Sequence, residues 1–252
     1  MQEGTPTMPA EAPSLDRLLE PASSPVAGSP ADPLTDPRAL QILTTEHWSL
    51  LATRSLAYNE AFTRAGMFLS FLSATLIVLG FLIGAQGLSP AVVPVAFVLL
   101  LADLFIGAAT VGRLMDASAE DLQCVRGMNR IRHAYREMVP GLEPYFVSGF
   151  HDDARGVLAT YNVRTSPGPL QNILHGLTTT IGMVATIDSM ILGALFALVA
   201  IGLGAAVEVT FLLAAIGFAA AFLSFARLGQ RAALGGQARA ESRFPSPGDP
   251  AG

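Results

Sequence analysis

The stretch from Phe97 to Ala109 reads FVLLLADLFIGAA, twelve uncharged residues around a single carboxylate, Asp103. It belongs to one of four apolar runs of similar length. These runs are Gly66–Ala85, Pro90–Gly112, Ile181–Leu203 and Ala205–Leu228. A hydrocarbon core of about 30 Å is crossed by roughly 20 helical residues. Because backbone groups in lipid must find partners within their own segment, the sequence predicts an all-α, polytopic membrane protein.

The composition supports this fold class and excludes several kinds of chemistry. Only 14% of the 252 residues are charged, whereas an average soluble domain has about 25%. All 15 basic residues are Arg, so a P-loop and a Schiff-base lysine are excluded. The single cysteine, Cys124, excludes an intramolecular disulfide and a Cys-rich zinc site. With a net charge of −5, no nucleic-acid partner is predicted. The sequence has no GxSxG, GxGxxG, HExxH or Walker pattern, so no enzyme activity, cofactor or metal site is predicted.

The arginines predict how the chain is oriented. Short connections join the first apolar run to the second and the third to the fourth, so we expect two transmembrane hairpins, at 65–112 and 173–230. The hairpin tips contain no Arg, whereas the flanks and the central region contain many. By the positive-inside rule, both termini and the central region are then cytoplasmic. The chain is therefore predicted to be a multi-pass protein of the bacterial inner (plasma) membrane.

Four further parts of the chain lie outside the hairpins. They are a disordered Pro/Ala-rich tail at 1–37, a cytoplasmic amphipathic helix at 38–64, a cytoplasmic helical region at 113–172 and a second disordered tail at 231–252. Apolar residues recur at intervals of three or four from Leu122 to Met138, and Pro140 then ends the pattern. The second transmembrane helix is therefore predicted to extend into the cytoplasm as a helical stalk.

Two carboxylates lie deep within the predicted spans, Asp103 in the second and Asp188 in the third. Counted along antiparallel helices, they lie about 13 and 10 Å from the inner face. Carboxylates at similar depth can share a proton or hold a cation, which makes both residues candidates for an ion or proton pathway. The alternative is that each stays protonated and bonds to a neighbouring helix, acting only in packing.

Gly80 and Gly84 form a GxxxG step in the first span. Small residues at this spacing let helix backbones approach closely. The step is a candidate for helix packing, either within one chain or between the copies of a homo-oligomer.

The stalk carries four arginines, Arg126, Arg130, Arg132 and Arg136, at positions that bring like charges together. They are candidates for binding an anionic lipid or a cytosolic protein. A solvated face that satisfies the positive-inside bias is the simpler interpretation, and acidic residues such as Glu46 or Glu60 are candidate counter-ions.

Three segments carry a resemblance to a known group of proteins. They are EHWSLLATRSLAYNEAFTRAGMFL (46–69), MNRIRHAYREMVPGLEPYF (128–146) and HDDARGV (151–157). Together they resemble a family of uncharacterised bacterial four-span integral membrane proteins, over a region from about Thr44 to the fourth span. The resemblance implies the fold, and it transfers no activity and no functional residue. In HDDARGV an Asp is also expected to cap a short helix.

Two functions are compatible with these features. The leading hypothesis is an oligomeric ion channel or a proton- or cation-linked transport protein that uses Asp103 and Asp188. The alternative is a non-catalytic membrane scaffold whose Arg-rich helix binds a partner or anionic lipid.

Overall fold

The computed structural model describes residues 32–161, 176–238 and 241–247. The regular elements that lie wholly within these residues are five helices and two short 3₁₀ turns. They are the turn Pro33–Thr35, α1 (Ala39–Gln86), α2 (Val92–Met138), the turn Glu143–Tyr145, α3 (Ala154–Thr160), α4 (Thr180–Gly202) and α5 (Val207–Ala238). Most of the predicted N-terminal tail, the end of the predicted region at 113–172 and residues 248–252 lie outside the described residues. The all-helical prediction is confirmed for the described part of the chain.

Four of the helices, α1, α2, α4 and α5, are long and apolar enough to cross a membrane. Their extensive contacts run from α1 to α2, from α2 to α4 and from α4 to α5. Within the apolar windows, 50% of the residues are buried in α4 and 28% in α2, against 11% in α1 and in α5. The centre of the fold is therefore the contact between α2 and α4, and large apolar side chains such as Phe81 and Phe211 are left exposed at its edges.

Two glycines end the apolar helices where the chain reverses. Gly87 ends α1 with φ 63°, and its N–H donates to the Ile83 carbonyl at 2.8 Å. Gly204 follows α4 with φ 72°, and its N–H donates to the Ile201 carbonyl at 3.0 Å. Residues that carry a side chain rarely adopt a positive φ, so these positions favour glycine.

α1 and α2 continue beyond their apolar parts as uninterrupted helices. The predicted amphipathic helix at 38–64 and the first span are one helix, and α2 is about 70 Å long at 1.5 Å per residue. Their side chains pair in antiparallel order. The contacts are Glu60 with Arg113 (3.0 Å), Arg54 with Asp121 and Thr44 with Tyr135 (3.5 Å). The polar parts of the two helices therefore pack on each other along their length.

We call this polar part the polar module; it comprises α1 up to Arg64, α2 from Arg113, residues 139–161 and residues 241–247. Its small apolar core consists of Val125, Met128 and Val157. α3 joins the module at Asp153, whose side chain accepts from the Gly156 N–H at 2.8 Å. The prediction that an aspartate of HDDARGV caps a short helix is confirmed.

The end of the chain differs from a simple tail. α5 continues past residue 230, where the second hairpin was expected to end, as far as Ala238. Residues 241–247 then lie against the polar module, where Ser246 is buried. The last helix is thus followed by a segment with a defined position.

Candidate functional site

The two deep carboxylates lie where the central helices meet. Asp103 belongs to the buried stripe of α2, and Asp188 belongs to the buried stripe of α4. Their exposed fractions are 2% and 0%. The stripe of α2 repeats every three or four residues, so burial of Asp103 follows from its register on the helix.

Gly107 makes room for the carboxylate of Asp188. A methyl group at position 107 would lie 2.7 Å from Asp188 Cγ and 2.9 Å from Cε2 of Phe68. Only a hydrogen fits in this space, so Asp188 packs directly on the backbone of α2. Since Gly107 follows Asp103 by one helical turn, the carboxylate of Asp188 is within about one turn of Asp103.

Three of the four carboxylate oxygens are buried without a hydrogen-bond partner among the described residues. They are Oδ1 and Oδ2 of Asp188 and Oδ2 of Asp103. A carboxylate ion without partners is costly to keep in an apolar interior. The arrangement is therefore suited to a neutralised carboxyl group, through a bound proton or a bound cation.

The hydroxyl groups of the spans are engaged with their own helices. Ser189 Oγ donates to the Ala185 carbonyl at 2.6 Å, and Thr110 Oγ1 donates to the Ile106 carbonyl at 2.8 Å. Such bonds to the preceding turn are common for buried Ser and Thr in helices. These hydroxyls therefore donate to backbone carbonyls and leave the Asp188 carboxylate unbonded.

The GxxxG step of α1 lies on an open face of the fold. A side chain at Gly80 or at Gly84 would meet no heavy atom within 4 Å. Neither glycine therefore packs closely against another helix among the described residues.

The four stalk arginines interact within the chain. Three of them donate hydrogen bonds within the chain: Arg130 Nε to Asp152 Oδ2 (2.6 Å), Arg132 Nη1 to Asn129 Oδ1 (2.8 Å) and Arg136 Nη1 to Glu143 Oε1 (3.2 Å). Arg126 also has an interaction partner. Glu60 instead accepts from Arg113 and Arg64, which holds its pKa at about 2. The counter-ions of the stalk thus come mainly from the chain that follows α2.

Asp121 is one of three buried acids of the polar module, with Asp152 and Asp153, and it ends the acidic stretch DASAED at 116–121. It is 5% exposed and accepts hydrogen bonds from Arg54 (2.5 Å), from Tyr58 (3.2 Å) and from Tyr161. Burial and the hydrogen bond to Asp121 raise the pKa of Tyr161. Asp121 therefore ties α1 and the end of α3 to α2.

Comparison with protein-family models, curated proteins and solved structures finds no significant match to this chain. The resemblance to four-span bacterial membrane proteins stays a prediction.

Proposed function

We propose that this chain is a proton-linked membrane transport protein in which Asp188, with Asp103 beside it, carries the proton. The observation that supports this most directly is the Asp188 carboxyl group, fully buried at the centre of the fold, whose oxygens accept no hydrogen bond from the part of the chain that the structure describes. Ionisable residues inside transmembrane helices mark the proton relays of pumps and transporters. A group that served only packing would be expected to bond to its neighbours.

A proton suits the surroundings of Asp188 better than a metal cation. Hard cations take six or more oxygen ligands, whereas Asp188 packs on Gly107, which the ring of Phe68 also approaches closely. The hydroxyls of Ser189 and Thr110 donate to backbone carbonyls. A proton needs one oxygen only.

Cavities at the two ends of the spans favour a carrier over an open channel. One, of about 280 Å³, lies beside Leu114 and Ile181, and another, of about 600 Å³, lies beside Phe97 and Leu198. Along α2 and α4 the two aspartates fall between these cavities, and they line neither of them. Since neither cavity reaches an aspartate, the helices would have to move before a proton could exchange with either side.

The proposal also covers the orientation of the chain in the membrane and its oligomeric state. The arginines at the polar module support two hairpins in a bacterial inner membrane, with the module and both termini in the cytoplasm. The open faces of α1 and α5, with Gly80 and Gly84 on α1, support a homo-oligomer. The scaffold alternative has less support, because Arg130, Arg132 and Arg136 bond within the chain.

The test is proton flux into liposomes that contain the purified protein, driven by a potassium diffusion potential and followed with an enclosed pH-sensitive dye. Asp188→Asn keeps the shape of the side chain and removes the exchangeable proton, so we expect flux to fall to that of empty liposomes. Asp103→Asn should also lower the flux. Asp116→Asn is the matched control, because Asp116 is an exposed carboxylate on α2, the helix of Asp103, and lies outside the predicted span.

Each variant is first checked by gel filtration in detergent, so that loss of folding is not taken for loss of transport. The proposal fails if the wild-type protein gives no flux above empty liposomes. It also fails if the folded Asp188→Asn protein transports protons as fast as the Asp116→Asn control.

A further inference from the structure

A short segment after α5, Glu241–Pro247 with the sequence ESRFPSP, lies in a groove of the polar module; we call it the C-terminal segment. The walls of the groove are Arg130 and His133 of α2 and the pair Asp152–Asp153 that precedes α3. Asp152 and Asp153 are 2% and 5% exposed. Both are therefore covered by the parts of the chain that pack around them.

Asp152 binds the first half of the segment through both carboxylate oxygens. Its hydrogen-bond donors are Ser242 Oγ (2.7 Å), the Arg243 N–H (3.0 Å), the Phe244 N–H (2.9 Å) and Arg130 Nε (2.6 Å). Burial alone would raise the pKa of Asp152, but these hydrogen bonds outweigh it and hold the pKa well below its usual value. Both oxygens of the carboxylate thus accept hydrogen bonds from the segment or from Arg130. Arg130 also donates to the Glu241 carbonyl at 2.9 Å.

Asp153 binds the second half of the segment. Its carboxylate accepts from the Ser246 N–H at 3.0 Å and from Ser246 Oγ at 2.9 Å while it caps α3 through the Gly156 N–H. Ser246 is only 6% exposed. A side chain at position 246 therefore faces a buried negative charge.

The aromatic ring of Phe244 fixes the middle of the segment. It stacks on His133 with ring centroids 4.2 Å apart and an angle of 27° between the planes. The Phe244 carbonyl accepts from the Asp152 N–H at 3.3 Å. An aromatic anchor between groups that bind the backbone is a common way to recognise an extended peptide.

The module's apolar core does not depend on this segment. Its residues are Val125, Met128 and Val157, packed by Leu50, Leu122 and Tyr161, and residues 241–247 contribute to neither apolar cluster of the fold. The segment is held by polar side chains and one ring stack, as a ligand is held. We therefore expect that core to stay packed when the segment leaves.

We propose that the groove is a peptide-recognition site for the sequence Ser-X-Phe-Pro-Ser, that the C-terminal segment is its exchangeable ligand, and that the site rejects an acidic group at the second serine. The specificity follows from charge. The hydroxyls of Ser242 and Ser246 each donate to a carboxylate, whereas an acidic side chain there would bring two buried negative charges into contact.

The first test compares Ser246→Asp with Ser246→Asn in the full-length protein. The two new side chains have the same size, and only one is charged; the Asn amide can still donate to Asp153. Trypsin cleaves after Arg243, the one basic residue of the segment, when the segment leaves the groove. We expect cleavage to rise by about tenfold or more for Ser246→Asp and to change little for Ser246→Asn. Equal cleavage of the two variants would overturn the charge specificity.

The second test adds a fluorescent synthetic peptide of residues 240–250 and measures its anisotropy. The emptied groove of the Ser246→Asp protein should bind the peptide about tenfold or more tightly than the wild-type protein, whose own segment competes for the site. The same peptide with Asp at position 246 should not bind. Phe244→Ala is a second way to empty the groove without adding charge. Failure of both emptied variants to bind the wild-type peptide would refute an exchangeable site.

Discussion

Replacement of Asp121 by Ala should loosen the polar module strongly. The substitution leaves Arg54 without its carboxylate and removes the acceptor of Tyr58 and Tyr161. Loss of one partner from a buried ion pair costs about 3–5 kcal/mol. The Arg54 side chain is 26% exposed and can be partly solvated, so we expect a loss of about 2–3 kcal/mol. That corresponds to an increase of about 30- to 150-fold in the population of opened module.

The single cysteine provides the assay. Cys124 lies one turn from Asp121 on α2 and is 6% exposed, and burial raises the pKa of its thiol. A maleimide dye that fluoresces on reaction therefore labels it mainly when the module opens. Since Asp121 also raises the thiol pKa, circular-dichroism melting in the same detergent is recorded as an independent readout.

Asp116→Ala is the matched control for this experiment. Asp116 is an exposed carboxylate on the same helix, and its removal should leave labelling and melting near the wild-type values. The reasoning is refuted if Asp121→Ala labels no faster than Asp116→Ala and melts at the same temperature. The three hydrogen bonds of Asp121 would then add no more stability than the exposed carboxylate of Asp116 does.

Two further predictions concern the packing of the spans and the charge of the module. Gly107→Ala should lower the melting temperature, because overpacking against Asp188 costs about 1–3 kcal/mol. Gly80→Ala places its methyl group in open space and should be neutral or slightly stabilising. Equal shifts of the melting temperature for the two variants would contradict the close contact at Gly107. Hydrogen bonds from Arg113 hold the pKa of Glu60 at about 2, below its ordinary 4.5, so its contribution is complete above pH 4.5 and lost as the pH falls towards 2. The melting gap between wild type and Glu60→Gln should therefore narrow between pH 6 and pH 3, and a widening gap would reverse the argument.

The membrane-compatible helices were predictable because lipid constrains a sequence strongly. A span needs both length and apolar composition, and Pro90–Gly112 and its three counterparts satisfy both. Counting residues also predicted that Asp103 and Asp188 lie at similar depth, and the structure buries both of them. The space at Gly107 does not, because the fit of one side chain on another helix depends on the rotation of both helices.

The contacts of the polar module were not predictable in the same way. Asp152 binds a residue 92 positions later in the chain, and Asp121 binds Arg54 at a separation of 67. Such pairs leave no periodic pattern, so the counter-ion candidates for the stalk were Glu46, Glu60, the acidic stretch DASAED at 116–121 and anionic lipid. The one available signal was Phe244, the sole aromatic residue after α5 passes Phe225. A single aromatic side chain in a polar tail is a feature of docking segments, and it lay in a region predicted to be disordered.

The C-terminal segment closes a ring of contacts through the fold. α2 packs on α4, α4 packs on α5, and the segment that follows α5 returns to α2 at Arg130 and His133. Direct contact between α2 and α5 is slight, so α5 is attached to the rest of the chain by α4 and by this segment. A movement of α4 that exposed Asp188 would move α5 with it, and the C-terminal segment would then have to shift in its groove or leave it. Occupancy of the groove is therefore the point at which the polar module can restrain the helices that bury the proposed proton site.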